Sequence, residues 1–187
     1  MRIGIWLPIF LLSLAACTDG RSSRAQDIIE AYYGGLNAAD FKQVRDVVAD
    51  SFTLIEGEFV TPLTRDEHYV VFQWDSVFAT TYTIEKIEAI EDGARALVAS
   101  SSKRYAFLKN NPLTCEMTFS LSAGKIARVK VGDCAHADWE VWASRRDSLV
   151  SWVDDNHPEL SGFINDLTKE GAENYLRAIE LYESRSD

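Results

Sequence analysis

The chain has 187 residues, of which 47% are hydrophobic and 26% charged, and its formal net charge at pH 7 is −10. A chain of this length and apolar content can bury one sizeable hydrophobic core. The acidic balance argues against partners that carry phosphate backbones or anionic lipid head groups. We therefore expect no nucleic-acid partner and no electrostatic binding to membranes.

The N-terminal 16 residues have the composition of a secretory signal. Arg2 precedes an apolar run from Ile3 to Leu12, which is too short for a resident transmembrane helix. The segment Leu14-Ala15-Ala16-Cys17 then resembles the bacterial lipobox, and this resemblance implies cleavage after residue 16 and acylation of Cys17. Ordinary signal cleavage beside an incidental cysteine is the alternative.

An acylated Cys17 would anchor the protein to a membrane without spanning it. Thr18 follows the cysteine. An Asp at that position would resemble the inner-membrane retention signal of enterobacteria. Because the chain has Thr there instead, we expect the outer membrane, with the protein facing the periplasm. Residues 17–24 are short and polar, which predicts a tether between the lipid and the fold.

Apolar residues recur at steps of three and four in three segments before residue 80, which predicts three helices. The first spans residues 25–37. Capping boxes that begin at Asp40 and Thr64 open the second and third helices, and the third ends near Ala79. Between these two helices, Phe52–Val60 predicts a strand or a tight hairpin.

Three strand-like segments follow the helices. They are Tyr82–Ile90, Ala94–Leu108 and the hairpin Leu113–Gly132, whose turn is Ser122–Lys125. The apolar face of this hairpin must be covered, and the helical segments on either side are the expected cover. Helices followed by a long antiparallel meander, without βαβ alternation, predict an α+β domain.

Two segments resemble the nuclear-transport-factor-2-like (SnoaL-like) superfamily. AYYGGLNAADFKQVRDVVADSFTL at 31–54 is similar to its opening helix pair and first strand, and SAGKIARVKVG at 122–132 to its Gly-Lys-Ile turn. The resemblance implies a cone-shaped, curved antiparallel sheet wrapped round three N-terminal helices, with a pocket. We assign residues 25–135 to this domain.

Residues 136–187 lie outside the resemblance and predict a helical C-terminal extension. Asp138 can cap a helix with tryptophans along one side, and the helix should end at His157-Pro158 because the residue before proline disfavours the helical region. The tryptophans are Trp139, Trp142 and Trp152. Packing explains them better than sugar binding does, and we expect the extension to pack on the cone or its mouth.

Cys115 and Cys134 are the cysteines that remain once Cys17 is acylated, and they lie on the two arms of one hairpin. In an oxidising compartment a disulfide is the favoured interpretation, with two unpaired buried cysteines as the alternative. The apolar alternation sets the two residues one position out of register. We therefore expect a β-bulge near Gly132 that brings them together.

None of the three histidines, His68, His136 and His157, pairs with another at a metal-binding spacing. Cys134–Asp138 offers too few ligands for zinc, so we expect no metal, and no cofactor motif is recognised. His68 lies beside two acidic residues in the first turns of the third helix. It is the best histidine for an acid–base role, and a solvated histidine is the alternative.

Enzymes of the resembled fold, such as ketosteroid isomerase and scytalone dehydratase, resemble one another in using a buried Asp with Tyr or His partners inside the cone. Here the first strand offers Glu56 or Glu58 instead. The catalytic candidates are therefore Glu56 and His68. The candidate pocket residues, chosen by position, are Tyr33, Trp74 and Tyr105, with plain core packing as the alternative.

Three functions are compatible with this sequence. The first is an envelope lipoprotein that binds a small apolar ligand or a protein partner without catalysis. The second is a lipid-tethered isomerase, dehydratase or hydrolase of the SnoaL type, and the third is an interaction module that forms homodimers through the outer face of its sheet. A closed apolar cavity with one buried carboxylate would favour the second, and a cavity filled by core side chains the third.

Overall fold

The computed structural model describes residues 19–185, with side chains from Ser23 onwards, so Cys17 and the expected signal segment lie outside the described residues. The α-helices in this range are α1 (Asp19–Asn37), α2 (Phe41–Val47), α3 (Arg65–Val77), α4 (Lys103–Phe107), α5 (Trp139–Asn156) and α6 (Lys169–Ser184), and two short 3-10 helices, Pro158–Leu160 and Phe163–Asn165, lie between α5 and α6. The strands are β1 (Val48–Glu56), β2 (Phe59–Thr64), β3 (Thr81–Ile90), β4 (Gly93–Ser101), β5 (Leu113–Ser122) and β6 (Lys125–Ala135).

The described strands form one curved, open sheet in the order β2-β1-β6-β5-β4-β3. Neighbouring strands pair antiparallel, except that β1 and β6 pair in parallel. The sequence predicted an antiparallel sheet throughout. The parallel pair arises because the first hairpin of the chain joins the sheet beside its last strand, a pairing between distant segments that local patterns do not record.

The expected β5–β6 hairpin is present, and its turn at Ala123–Gly124 has positive φ at both residues, as a two-residue type I′ turn requires. Met117 pairs with Val131, and the register then slips by one residue so that Cys115 faces Cys134. The predicted bulge is therefore confirmed. It places the two cysteines opposite each other with their Cα atoms 3.9 Å apart.

The segment after β4 differs from the prediction of one long strand over Ala94–Leu108. The Ser102 hydroxyl accepts a hydrogen bond of 3.0 Å from the backbone N–H of Tyr105, and it caps the short helix α4. This local cap competes with further strand pairing. Helix α1 also differs, since it begins at Asp19, within the expected tether.

Two hydrophobic clusters stabilise the fold. The first cluster lies between the sheet and helices α1 and α2, and its buried members include Ile29, Val44, Phe52, Phe119 and Val129. The second cluster joins the C-terminal end of α3 to α4 and the C-terminal helices, and its buried members include Phe78, Phe107, Leu149, Phe163 and Ile179. Within residues 19–185, no helix is long and apolar enough to cross a bilayer.

Candidate functional site

A cavity of about 500 Å³ opens between the sheet and α1, on the inner side of the cone. Its walls come from alternate residues of the strands, because side chains two positions apart share one face of a sheet. Leu113, Cys115 and Met117 on β5 follow this spacing, as do Val129 and Val131 on β6. The cavity is therefore part of the inward face that the apolar alternation predicted.

Tyrosines from α1 and β3 form one wall of the cavity. The Tyr82 hydroxyl donates a hydrogen bond to Asp75, and the Thr80 hydroxyl donates another, of 3.0 Å, to the same carboxylate. Burial, and then the negative charge of Asp75, raise the pKa of both Tyr32 and Tyr82 well above the usual range. These phenols therefore stay protonated, and the Tyr82 proton is committed to Asp75, which does not itself line the cavity.

Arg104 from α4 also lines the cavity, and aromatic rings surround it. Its guanidinium carbon lies 4.8 Å from the ring centroid of Trp74, 4.9 Å from that of Tyr105 and 5.5 Å from that of Trp142. Cation–π attraction at such distances holds a guanidinium against the rings. Trp139 contacts Trp142 edge-on and is 51% exposed, so the aromatic wall extends from the cavity into solvent.

Glu56 contributes the carboxylate of the cavity wall, at the exposed end of β1. It lies close enough to Tyr105 to help raise the pKa of that phenol, although burial is the largest cause and Arg104 opposes it. The structure thus brings Glu56 together with Tyr33 and Tyr105, three of the residues selected from the sequence.

His68 is placed elsewhere. Its side chain is 5% exposed and packs among aromatic rings, with centroids 4.5 Å away for Phe52 and 5.6 Å for Phe41. The ring stacks on that of Tyr32, with the two centroids 6.3 Å apart, and does not line the cavity. Burial lowers the pKa of His68 to about 4, so its imidazole is neutral at pH 7. The solvated histidine considered from the sequence is not what the structure contains.

Trp74 does not line the cavity either. Its indole N–H donates a 3.2 Å hydrogen bond to the backbone oxygen of Asp166, and its ring contacts Phe78 in the second cluster. The physical reason is that α3 contacts both hydrophobic clusters. His68, near the N-terminus of the helix, packs on Phe52 of the first cluster. Trp74 and the C-cap residue Phe78 belong to the second cluster, on the side where α6 packs.

Cys115 and Cys134 lie next to each other in the cavity wall, and the disulfide between them stays a prediction. Among the described residues, no group of three or more His, Cys, Asp or Glu side chains is arranged to hold a metal ion.

Sequence reasoning missed the residues that most distinguish this cavity. Arg104 fell within a predicted strand, and nothing in its local pattern indicated that it would face a pocket. Trp139 and Trp142 were attributed to packing, although their i, i+3 spacing after the cap at Asp138 already placed them side by side at the start of the extension. The first turn of α5, which carries both tryptophans, therefore borders the cavity.

No protein-family model matches the chain, and no curated protein matches its sequence. Among solved structures, IdmH, a candidate polyketide cyclase from Streptomyces antibioticus, is 17% identical with a TM-score of 0.50 and covers 66% of this chain and 98% of its own. A candidate polyketide cyclase from Sinorhizobium meliloti is 14% identical, with a TM-score of 0.50, and covers 57% of this chain and 94% of its own.

A de novo designed protein with a curved β-sheet is as similar, at 13% identity and a TM-score of 0.50, and it covers 67% of this chain and 93% of its own. Likenesses at these identities show the fold alone, and a designed protein beside candidate cyclases illustrates that the fold does not set the function. The predicted fold class, an α+β cone with a curved sheet wrapped round helices, is confirmed.

Proposed function

We propose that this protein binds a small, mainly apolar molecule in the cavity of its cone. The observation that carries the proposal is the cavity of about 500 Å³, which is walled mostly by aliphatic and aromatic side chains. Small-molecule sites fall in the range of about 300–1,000 Å³ and combine apolar walls with a few polar groups. The cavity is not filled by core side chains, which argues against a purely structural module.

The proposed binding takes place at the bacterial envelope. The support for this location is the lipobox-like sequence ending at Cys17, with an acyl anchor on that cysteine. A tethered domain of this kind would meet its ligand in the periplasm, and an acidic surface would keep it away from anionic head groups.

A second candidate function, acid–base catalysis of the SnoaL type, is favoured by the presence of Glu56 and Tyr105 in the same cavity wall. It ranks second because Glu56 is exposed, whereas a base for carbon acids gains strength from burial. Deuterium exchange into an enolisable ketone, followed by NMR for wild type and Glu56→Gln, tests it. Exchange that requires Glu56 would make the protein an enzyme.

The binding proposal is tested with a neutral naphthylamine dye whose fluorescence increases in apolar surroundings. Met117→Trp enlarges a side chain in the cavity wall, and Thr118→Trp places the same residue one position along β5, on the opposite face. We expect the first variant to weaken dye binding about tenfold or more, equivalent to about 1.4 kcal/mol. The second should bind like wild type.

Two results would contradict the proposal. One is a wild-type protein that does not bind the dye at all. The other is equal binding by Met117→Trp and Thr118→Trp, which would place the dye on the surface.

A further inference from the structure

Arg104 brings a positive charge to a cavity that is otherwise mostly apolar, in a protein whose net charge is −10. The chain has 29 acidic residues. Even so, among the described side chains no carboxylate lies within 4.0 Å of the Arg104 guanidinium, although five other Lys or Arg residues have such a partner. Its charge is therefore balanced by aromatic rings and not by an ion pair.

The rings also fix where the guanidinium points. Trp74, Tyr105 and Trp142 lie within 5.5 Å of its central carbon. A guanidinium has five N–H donors in a planar fork, and stacking on aromatic rings leaves these donors for a ligand. Held at the cavity wall, this fork matches the two oxygens of a carboxylate.

The carboxylate of Glu56, whose charge is opposite to that of Arg104, sets the orientation of a bound molecule. Glu56 also lines the cavity and repels an anion, so a negative group gains from being at Arg104 and loses from being at Glu56. The remaining walls, which include Leu54, Val98 and Met117, are apolar. They suit a hydrocarbon or aromatic body.

We infer that the ligand is an amphipathic organic acid, whose carboxylate binds Arg104 and whose apolar body fills the cone. The inference rests on the proposed function, and it names the chemical class of the ligand. An apolar acid gains from both parts of the site, whereas a neutral molecule of the same shape gains from the walls alone.

The experiment compares 2-naphthoate with 2-naphthamide, which share the ring system and nearly the same shape but differ in charge at pH 7. Their binding to the chain from residue 18 onward, which contains every residue of both hydrophobic clusters, is measured by calorimetry. Wild type should bind the acid about tenfold or more tightly than the amide, as expected for hydrogen bonds to a charged group. In Arg104→Gln this preference should disappear, while the affinity for the amide stays within about twofold.

Two further variants distinguish the loss of a ligand contact from a change in folding. Arg104→Lys keeps the charge but not the fork, so it should keep part of the preference. Arg145→Gln is the matched control, because Arg145 also stacks on a ring, that of Phe107 at 4.4 Å, but does not line the cavity. It should retain the full preference for the acid.

Each alternative outcome is distinct. If wild type binds the acid and the amide equally, or if Arg104→Gln keeps the preference, the inference is overturned while the apolar-ligand proposal stands. If wild type binds neither compound, both are overturned.

Discussion

The two hydrophobic clusters of this protein are built from similar residues, but the second is tightly filled whereas the first borders an open cavity. In the second cluster aromatic side chains interlock, and the ring of Tyr175 contacts Phe78 at 5.6 Å and Phe163 at 4.8 Å. The first cluster is covered by a curved sheet, and its inward face continues into an open cavity. The curvature of the sheet, and not the amount of apolar sequence, decides which cluster leaves room for a ligand.

This difference assigns separate roles to two halves of the molecule. We call the elements around the second cluster the packed half and the elements around the first cluster the hollow half. The C-terminal helices pack on α3 and α4 from one side, and in doing so they bring Arg104, Trp139 and Trp142 to the cavity wall. Packing in the second cluster thus positions these three side chains of the cavity wall. Substitutions in the packed half should mainly change stability, and substitutions in the cavity wall should mainly change binding.

The largest loss of stability is expected from Leu149→Ala in the second cluster. Leu149 is 0% exposed, so the truncation leaves a void in an interlocked core and should lower the free energy of unfolding by about 2–5 kcal/mol. Leu167→Ala is the control, since that side chain is 59% exposed and its loss should cost less than about 0.5 kcal/mol. Urea denaturation measures both values, and a small loss for Leu149→Ala would mean that this half is not tightly packed.

The next effect concerns the hairpin that walls the cavity. A disulfide between Cys115 and Cys134 would close a loop with a sequence separation of 19. It would contribute ~3 kcal/mol in the chain-entropy model. A thiol reductant should therefore destabilise wild type by up to this amount and leave the Cys115→Ala/Cys134→Ala double variant unchanged. An unfolding curve of wild type that is insensitive to the reductant would argue against the bond.

The pH dependence of stability tests the packing of the first cluster around His68. Its pKa is about 4 in the folded protein against an ordinary value of 6.5, so between these values the unfolded chain binds the extra proton. Stability from this group is therefore complete above pH 6.5 and is lost as the pH falls towards 4, by about 3 kcal/mol in total.

Other groups also titrate in this window, so the test is the difference between wild type and His68→Phe. The variant should lose about 3 kcal/mol less than wild type between pH 7 and pH 4. Leu167→Ala is the control, because it is an exposed substitution that changes no titratable group, and it should leave the wild-type slope in place. Parallel pH profiles for wild type and His68→Phe would show that His68 is hydrated in the folded state.

The smallest stability effect is expected in the cavity wall itself. Met117 is half-buried and borders open space, so Met117→Ala loses only part of the usual packing and should cost about 1 kcal/mol. The same variant should bind the neutral dye more weakly than wild type. A loss as large as that of Leu149→Ala would show that the wall is ordinary core and would remove the contrast between the two halves.

Local chemistry allowed much of the fold to be predicted from the sequence. The capping box of Thr64 and Glu67, the cap at Asp138 and the turn at Ala123–Gly124 each involve residues within a few positions, and all are present. The bulge that pairs Cys115 with Cys134 could also be predicted, because the apolar alternation on the two strands was out of step by one residue.

The candidate site was predicted only in part, because it depends on distant contacts. Tyr33 and Tyr105 were found through their aromatic character and position, and Glu56 through its place on β1. The sequence did not predict that Trp74 and His68 lie away from the cavity, because the packing of α6 on α3 decides which face of that helix meets which cluster. The role of Arg104 emerges only when α4 and α5 come together.

The proposed function depends most on the cavity being occupied by a small molecule. The most direct measurement is native mass spectrometry of residues 18–187, exported to a bacterial periplasm and purified without detergent, for wild type and Met117→Trp. We predict a non-covalent small-molecule adduct on wild type that is absent from Met117→Trp. A wild-type protein without any adduct, or an adduct that persists in Met117→Trp, would contradict the binding of a small molecule in the cavity.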